Sequence, residues 1–100
     1  DEITISARSP FQGARVANIS PAVAEEMRLD SNAEGVVVVE LEDGAPAAGV
    51  GFQKGDIILA VNNQKIVKTS DLDKAAKASS RLWRIVVVRN GQQINVTLGG

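Results

Sequence analysis

The sequence predicts a mainly β fold with two helices, arranged as a partly open antiparallel barrel or sandwich. Val and Ile number 13 and 8 against 6 Leu, and β-branched side chains favour pleated strands over helices. Asn90-Gly91 lies between two apolar stretches and is a strong signal for a β-hairpin. Ser20-Pro21 and Thr69-Ser70-Asp71 are typical helix starts. At 100 residues, the chain is expected to be one domain over residues 1–100.

The first half of the chain predicts three strands and one helix. Apolar and polar residues alternate in Ile3-Thr4-Ile5-Ser6, which indicates a short strand. Arg15–Ile19 is the second expected strand, and a helix is expected from Pro21 to about Leu29. The uninterrupted run Val36–Val39 predicts a strand that is buried on both faces.

The second half predicts further short elements before the hairpin. Ala45–Ala48 indicates a single helical turn, and Asp56–Val61 indicates a strand. Ile66-Val67 is expected to form a short returning strand. The second helix is expected from Thr69 to about Ser79, with an apolar stripe that includes Leu72 and Ala76.

The final hairpin is expected to join Leu82–Val88 to Gln92–Leu98. A two-residue loop at Asn90-Gly91 fixes the register of the two strands. Three facing pairs then share one apolar side and are predicted to be core: Trp83 with Leu98, Ile85 with Val96, and Val87 with Ile94.

Composition excludes several classes of function for this chain. It contains no His and no Cys, which excludes a Ser-His-Asp triad, a Cys nucleophile and thiolate or imidazole metal sites. We expect no cofactor, no metal and no catalytic residue. Net charge is −1 with 3% aromatic residues, which argues against nucleic acid as a partner. No stretch is long and apolar enough to predict direct membrane insertion.

An enzyme remains the least favoured hypothesis, and it would depend on carboxylates. Paired acids can perform acid–base chemistry when their surroundings separate their pKa values. Nothing in the spacing of these acids forces two of them into a cleft, and turn or helix-capping roles are the favoured explanation for them. The candidates are Glu40, Glu42, Asp43, Asp56, Asp71 and Asp73.

A peptide-binding module is the second hypothesis. An exposed edge strand beside a helix accepts an extended peptide as one more strand, and converging N–H groups hold its terminal carboxylate. Phe11-Gln12-Gly13-Ala14 directly precedes Arg15–Ile19, which is expected to be such an edge strand. One glycine is a weak signal, and an ordinary loop glycine explains Gly13 as well.

Three segments resemble the signature of a PDZ domain: GVVVV at 35–39, APAAGVGFQKGDII at 45–58 and VNNQKI at 61–66. More narrowly, they resemble the PDZ domains of HtrA-type (Do, DegP and DegQ-like) bacterial serine proteases. The resemblance implies a circularly permuted bacterial PDZ fold. It also implies a non-catalytic module of a periplasmic serine endopeptidase, for protein quality control. Because the chain ends soon after the last hairpin, we expect the second, C-terminal PDZ domain. A tail-specific or membrane-associated protease is the alternative parent.

The resemblance implies a groove between the second strand and the second helix. Backbone N–H groups of Gln12, Gly13 and Ala14 would hold a terminal carboxylate, and the small Ala14 implies a shallow pocket. The expected partners are C-terminal or unfolded polypeptide segments, or neighbouring domains or subunits of the parent protease. The expected peptide-binding residues are Phe11, Gln12, Gly13, Ala14, Arg15, Val16, Asn18, Thr69, Leu72, Asp73 and Ala76.

Overall fold

The computed structural model describes residues 2–78 and 80–99, and in these ranges the chain forms seven strands and three helices. The strands are β1 (Glu2–Thr4), β2 (Ala14–Asn18), β3 (Val36–Leu41), β4 (Ile57–Val61), β5 (Gln64–Lys65), β6 (Leu82–Arg89) and β7 (Gln92–Gly99). The helices are α1 (Pro21–Glu26), α2 (Pro46–Val50) and α3 (Thr69–Lys77). Within the described ranges, no helix is both long enough and apolar enough to cross a membrane.

The predicted fold class is confirmed, with a correction to the helix count. The segment expected to be a single turn forms α2, because Pro46 begins it and Gly51 ends it in a left-handed conformation at φ 104°. The predicted end of the last helix near Ser79 lies outside the described residues.

All strands pair antiparallel in one open sheet of order β1-β2-β3-β4-β6-β7, with β5 paired to β4. The expectation that the strand after Gly13 is an edge strand is therefore wrong. Val16 of β2 is opposite Ile3 on one side and Val38 on the other. The reason is that the chain folds back after β1 and pairs β1 along the second edge of β2.

Turn geometry explains where two predicted boundaries shift. Helix α1 begins as predicted, with the Ser20 hydroxyl accepting a hydrogen bond from the Val23 N–H at 3.2 Å. The helix ends early because Arg28 takes a left-handed conformation at φ 58°. The predicted returning strand at Ile66-Val67 is wrong, and the strand is Gln64–Lys65 instead. Asn62 and Asn63 both have positive φ and form a tight two-residue turn, so pairing with β4 begins directly after them.

The main core lies on one face of the sheet, around Phe11. Its ring stacks on Phe52 with centroids 5.6 Å apart and meets Trp83 edge-on at 6.0 Å. A smaller cluster on the opposite face contains Ala17, Val37 and Ile57. Because Val36 and Val38 face the first cluster and Val37 the second, the prediction that this strand is buried on both faces is confirmed.

The register of the final hairpin is as predicted, with Ile85 opposite Val96 and Val87 opposite Ile94. Ile85 and Val87 of β6 are buried, whereas Ile94, Val96 and Leu98 of β7 are only half-buried. The expectation of full burial for both strands is therefore corrected. Strand β7 ends the sheet, so its side chains have a packing neighbour on one side only.

Candidate functional site

The loop before β2 requires glycine at position 13. Gly13 has φ +89°, and a Cβ built there would lie 2.2 Å from the Cβ of Ala45. The loop is attached to the start of α2, because the Gln12 carbonyl accepts from the Ala47 N–H at 3.0 Å. The Gly13 carbonyl accepts from the Glu42 N–H, also at 3.0 Å. The glycine therefore serves a close approach of two backbone segments.

The three N–H groups expected to hold a carboxylate all have acceptors within this chain. The Gln12 N–H donates to the Ser9 carbonyl at 3.2 Å, and the Ala14 N–H donates to the Phe11 carbonyl at 3.0 Å. The Gly13 N–H donates to the Ile5 carbonyl at 2.9 Å. The Gly13 N–H, the central one of the three, therefore donates to the carbonyl of Ile5 in the same chain.

Helix α3 is attached to β2 at its first residue. The Thr69 N–H donates to Oδ1 of Asn18 at 2.8 Å, which joins the start of the helix to the end of the strand. The carboxylate of Asp71 accepts from the N–H groups of Val67 and Lys68 at 3.0 and 3.1 Å. These two hydrogen bonds lower the pKa of Asp71 below its ordinary value, since they favour the ionised carboxyl.

The buried side of α3 contributes to the same core as the loop and β2. Thr69, Leu72 and Ala76 are buried, and Leu72 and Ala76 belong to the cluster that also contains Phe11 and Val16. Ala14 is part of this cluster as well. Five of the predicted site residues, from the loop, the strand and the helix, are therefore members of one apolar cluster: Phe11, Ala14, Val16, Leu72 and Ala76.

Six of the predicted site residues are not members of this cluster: Gln12, Gly13, Arg15, Asn18, Thr69 and Asp73. Asp73 forms an ion pair with Lys77, one helical turn further along α3, with 2.9 Å between Oδ2 and Nζ. Arg15 is exposed on β2, with its Nε 3.1 Å from Glu2 and its Nη2 paired with Glu40. Because Glu2 is on β1 and Glu40 on β3, Arg15 connects three neighbouring strands.

Sequence reasoning did not include Ile3 and Ile5 among the site residues. Ile5 is 0% exposed and belongs to the same cluster as Leu72 and Ala76, and Ile3 packs against that cluster. The alternation of Ile3-Thr4-Ile5-Ser6 indicated a strand, but nothing in it identified the pairing partner. The pairing with β2 is a long-range contact that the pattern alone does not contain.

The acids weighed for catalysis have structural roles where the structure shows their contacts. Asp56 is 1% exposed and makes a bidentate pair with Arg89, with Oδ1 to Nε 2.8 Å and Oδ2 to Nη2 2.7 Å. This pair raises the pKa of Arg89. Within residues 2–78 and 80–99, no three His, Cys, Asp or Glu side chains are grouped so as to hold a metal ion.

Comparison with protein families matches residues 3–99 to the PDZ domain. The chain is 38% identical over 92 residues to the probable periplasmic serine endoprotease DegP-like of Pseudomonas putida (strain W619), covering 87% of this chain and 19% of that protein. It is 34% identical over 82 residues to the protein of the same name from Chlamydia trachomatis serovar D, covering 82% of this chain and 16% of that protein. The chain thus spans less than a fifth of the length of these relatives.

Two solved structures of HtrA-type proteins are similar to this chain in fold. The HtrA-type protease AlgW with decapeptide superposes with a TM-score of 0.73 at 31% identity, covering 87% of this chain and 27% of that one. The HtrA3 PDZ domain bound to a phage-derived ligand (FGRWV) superposes with a TM-score of 0.72 at 25% identity, covering 99% of this chain and 84% of that one. Both of these similar structures contain a peptide.

Proposed function

The chain belongs to the PDZ domain family, with homology to DegP-like and HtrA-type serine proteases, and on that premise we propose that it captures peptide C-termini for such a protease. A PDZ domain is a protein-binding module, and the catalytic domain of HtrA proteases is not part of this chain. The proposed ligands are the C-termini or exposed hydrophobic segments of unfolded proteins in the periplasm. Their capture would bring substrate to the protease or change its activity.

One observation carries this proposal: the loop and the start of β2 bind an extended apolar residue through both of its backbone groups. The Gly13 N–H donates to the carbonyl of Ile5, and the N–H of Ile5 donates to the Ala14 carbonyl at 2.9 Å. A peptide added to β2 as an antiparallel strand needs the same donor and the same acceptor. Its terminal carboxylate would strengthen the contact with the Gly13 N–H, because a hydrogen bond to an ionised acceptor is stronger than one to a neutral carbonyl.

The surrounding side chains favour a ligand with an apolar last residue. Ile5 is fully buried in the cluster that also contains Phe11, Leu72 and Ala76, so this cluster accommodates a branched aliphatic side chain. The ligand of the similar HtrA3 PDZ domain, FGRWV, also ends in a β-branched residue. Such contacts between a short peptide and one groove correspond to dissociation constants of roughly 10–1000 µM.

Amide chemical-shift mapping with FGRWV tests this proposal. We expect shifts at residues 12–18 and 69–76 with the free acid, and far smaller shifts with the C-terminal amide. Asn95→Ala is a matched control, since Asn95 is exposed on β7 and should leave the shifts unchanged. Equal shifts with the free acid and the amide would contradict carboxylate-dependent capture.

Subunit or domain contact is a second candidate function, because the sheet has an unpaired edge at β7. This eight-residue strand ends the sheet and leaves Ile94, Val96 and Leu98 half-buried. An exposed edge of this length is able to pair with a strand of a neighbouring domain or subunit. Concentration-dependent shifts confined to β7, without any peptide, would favour this function over capture.

A further inference from the structure

We infer that residues 2–5 are an internal ligand of the peptide groove, and that an external C-terminus binds only by displacing them. This inference rests on the proposed function, because it concerns access to the same groove. The segment pairs antiparallel with β2, at Glu2 with Ala17, Ile3 with Val16 and Thr4 with Arg15. Strand β2 already pairs with β3 on its other edge, so no edge of β2 is left for an added peptide.

The backbone contacts continue to the end of the segment at the loop. The Ile5 N–H donates to the Ala14 carbonyl, and the Ile5 carbonyl accepts from the Gly13 N–H, each at 2.9 Å. Residue 5 therefore holds the place that the last residue of a bound peptide would take. The chain then turns away through residues 6–10 instead of ending in a carboxylate.

The side chains of residues 2–5 are also arranged like those of a peptide bound as an added strand. Ile5 is fully buried in the apolar cluster, and Ile3, two residues earlier, packs against the edge of that cluster. Thr4 and Glu2 alternate to the exposed side, where Glu2 pairs with Arg15. This alternation is what a strand-forming ligand with apolar residues at its last and third-last positions would present.

The same contacts explain how a real C-terminus is able to displace this segment. The internal ligand offers the loop one neutral carbonyl, whereas a peptide C-terminus offers a carboxylate, whose hydrogen bonds are stronger. The ion pair of Glu2 with Arg15 is exposed, and pairs of that kind contribute little. The tether gives the internal segment an effective concentration in the millimolar range. With an affinity of the segment itself for the groove of about 10–100 µM, the ratio of these two values weakens the binding of an external peptide by roughly tenfold to a hundredfold.

Fluorescence anisotropy with a labelled Asp-Glu-Ile-Thr-Ile peptide tests this directly, because that peptide repeats residues 1–5 and ends in a free carboxylate. The intact chain is compared with a variant that lacks residues 1–6. We expect the variant to bind roughly tenfold to a hundredfold more tightly. The amide form of the peptide and the Asn95→Ala variant of the intact chain are the controls.

A disulfide lock keeps the test valid if the shortened chain does not fold. Thr4 and Arg15 are exposed and lie opposite one another. Because the Ile5 N–H donates to the Ala14 carbonyl, Thr4 and Arg15 form a non-hydrogen-bonded antiparallel pair. The side chains of such a pair are close enough for a disulfide. The chain has no other Cys, so Thr4→Cys with Arg15→Cys allows a single bridge. Oxidation should abolish peptide binding, and reduction of the same protein should restore it.

The possible outcomes separate the two proposals. Equal affinity for the intact and shortened chains, binding that survives the oxidised lock, or failure of the lock to form would overturn the internal ligand but leave peptide capture intact. If the folded, shortened chain and the reduced lock variant both fail to bind either peptide at millimolar concentration, the proposed function itself is wrong.

Discussion

Strands β1 and β7 occupy the two ends of the same sheet, but they are held there in opposite ways. Strand β7 has eight residues, follows β6 through a two-residue turn and keeps its apolar side chains half-buried. Strand β1 has three residues, is separated from β2 by a loop, and is followed by the fully buried Ile5. One end of the sheet has a long pairing between strands that are adjacent in sequence. The other has a three-residue pairing that is followed by one side chain buried in the apolar cluster.

This difference separates a structural edge from an exchangeable one. Removing β7 would uncover Ile85 and Val87, which lie at the centre of the core. Removing residues 2–5 would vacate the place of Ile5 in the apolar cluster and free one edge of β2, and in the proposed exchange an extended peptide restores both contacts. Burial alone therefore does not measure how firmly a strand is bound to the domain.

The largest expected effect comes from truncating two equally buried isoleucines. Ile85 and Ile5 are 1% and 0% exposed, so burial alone predicts the same cost for each Ile→Ala change. We expect Ile85→Ala to lower the free energy of unfolding by about 2–5 kcal/mol. Ile5→Ala should cost no more than about 1.4–2.8 kcal/mol. This is the free energy that corresponds to a ratio of filled to empty groove of about tenfold to a hundredfold.

Urea unfolding monitored by Trp83 fluorescence measures both changes. The loss of unfolding free energy in Ile5→Ala cannot exceed the free energy with which residues 2–5 bind the groove. A larger local penalty would make these residues detach while the rest of the domain stays folded. Thr4→Ala and Asn95→Ala, both exposed, are matched controls on the two edge strands and should change little. A larger loss at Ile5 than at Ile85 would show that β1 is as integral to the domain as β6.

A second pair of substitutions compares two glycines of similar backbone conformation. Gly13 and Gly91 have φ +89° and +78°, but a Cβ meets Ala45 at 2.2 Å only in the first case, and nothing lies within 4 Å in the second. Gly91→Ala should cost about 1–2 kcal/mol from conformation alone. Gly13→Ala adds a steric conflict and should cost about 3 kcal/mol or more.

Thermal or urea unfolding of both glycine variants checks this second pair. The peptide affinity of Gly13→Ala should also fall, because the loop has to move away from α2. Equal stabilities for the two variants would show that the loop and α2 separate without cost. In that case the contact with Ala45 would not be the reason that position 13 requires glycine.

The smallest expected effect concerns Asp71, at the start of the helix that packs beside Ile5. Folding lowers the pKa of Asp71 below its ordinary value of 3.8, so its contribution to stability is present above that value and is lost as the pH falls through the lower, folded pKa. We expect Asp71→Asn to be less stable than the natural chain at pH 7, with a difference that shrinks below about pH 4. Urea unfolding at pH 7, 5 and 3 measures it, and a difference independent of pH would refute the role of the charge.

Local patterns in the sequence predicted much of this fold. The Asn90-Gly91 turn defines the β6–β7 register, because a two-residue loop allows one pairing of its flanking strands. The run Val36–Val39 predicted two-sided burial, and Ser20-Pro21 predicted the start of α1. The signature over residues 35–66 identified the PDZ fold. Each of these features depends on neighbours in the chain.

The environment of the candidate site was decided by the tertiary structure. The residues of the loop, β2 and α3 were selected from the sequence, but the partner of Ile3-Thr4-Ile5 was not. Every residue of a short strand offers the same backbone donors and acceptors, so a three-residue pattern cannot specify which sheet edge it joins. Only the folded chain brings the Ile5 carbonyl to the Gly13 N–H and its side chain into the pocket. The sequence determined a PDZ domain, and the tertiary packing determined that residues 2–4 pair with β2 and that Ile5 is buried in the apolar cluster.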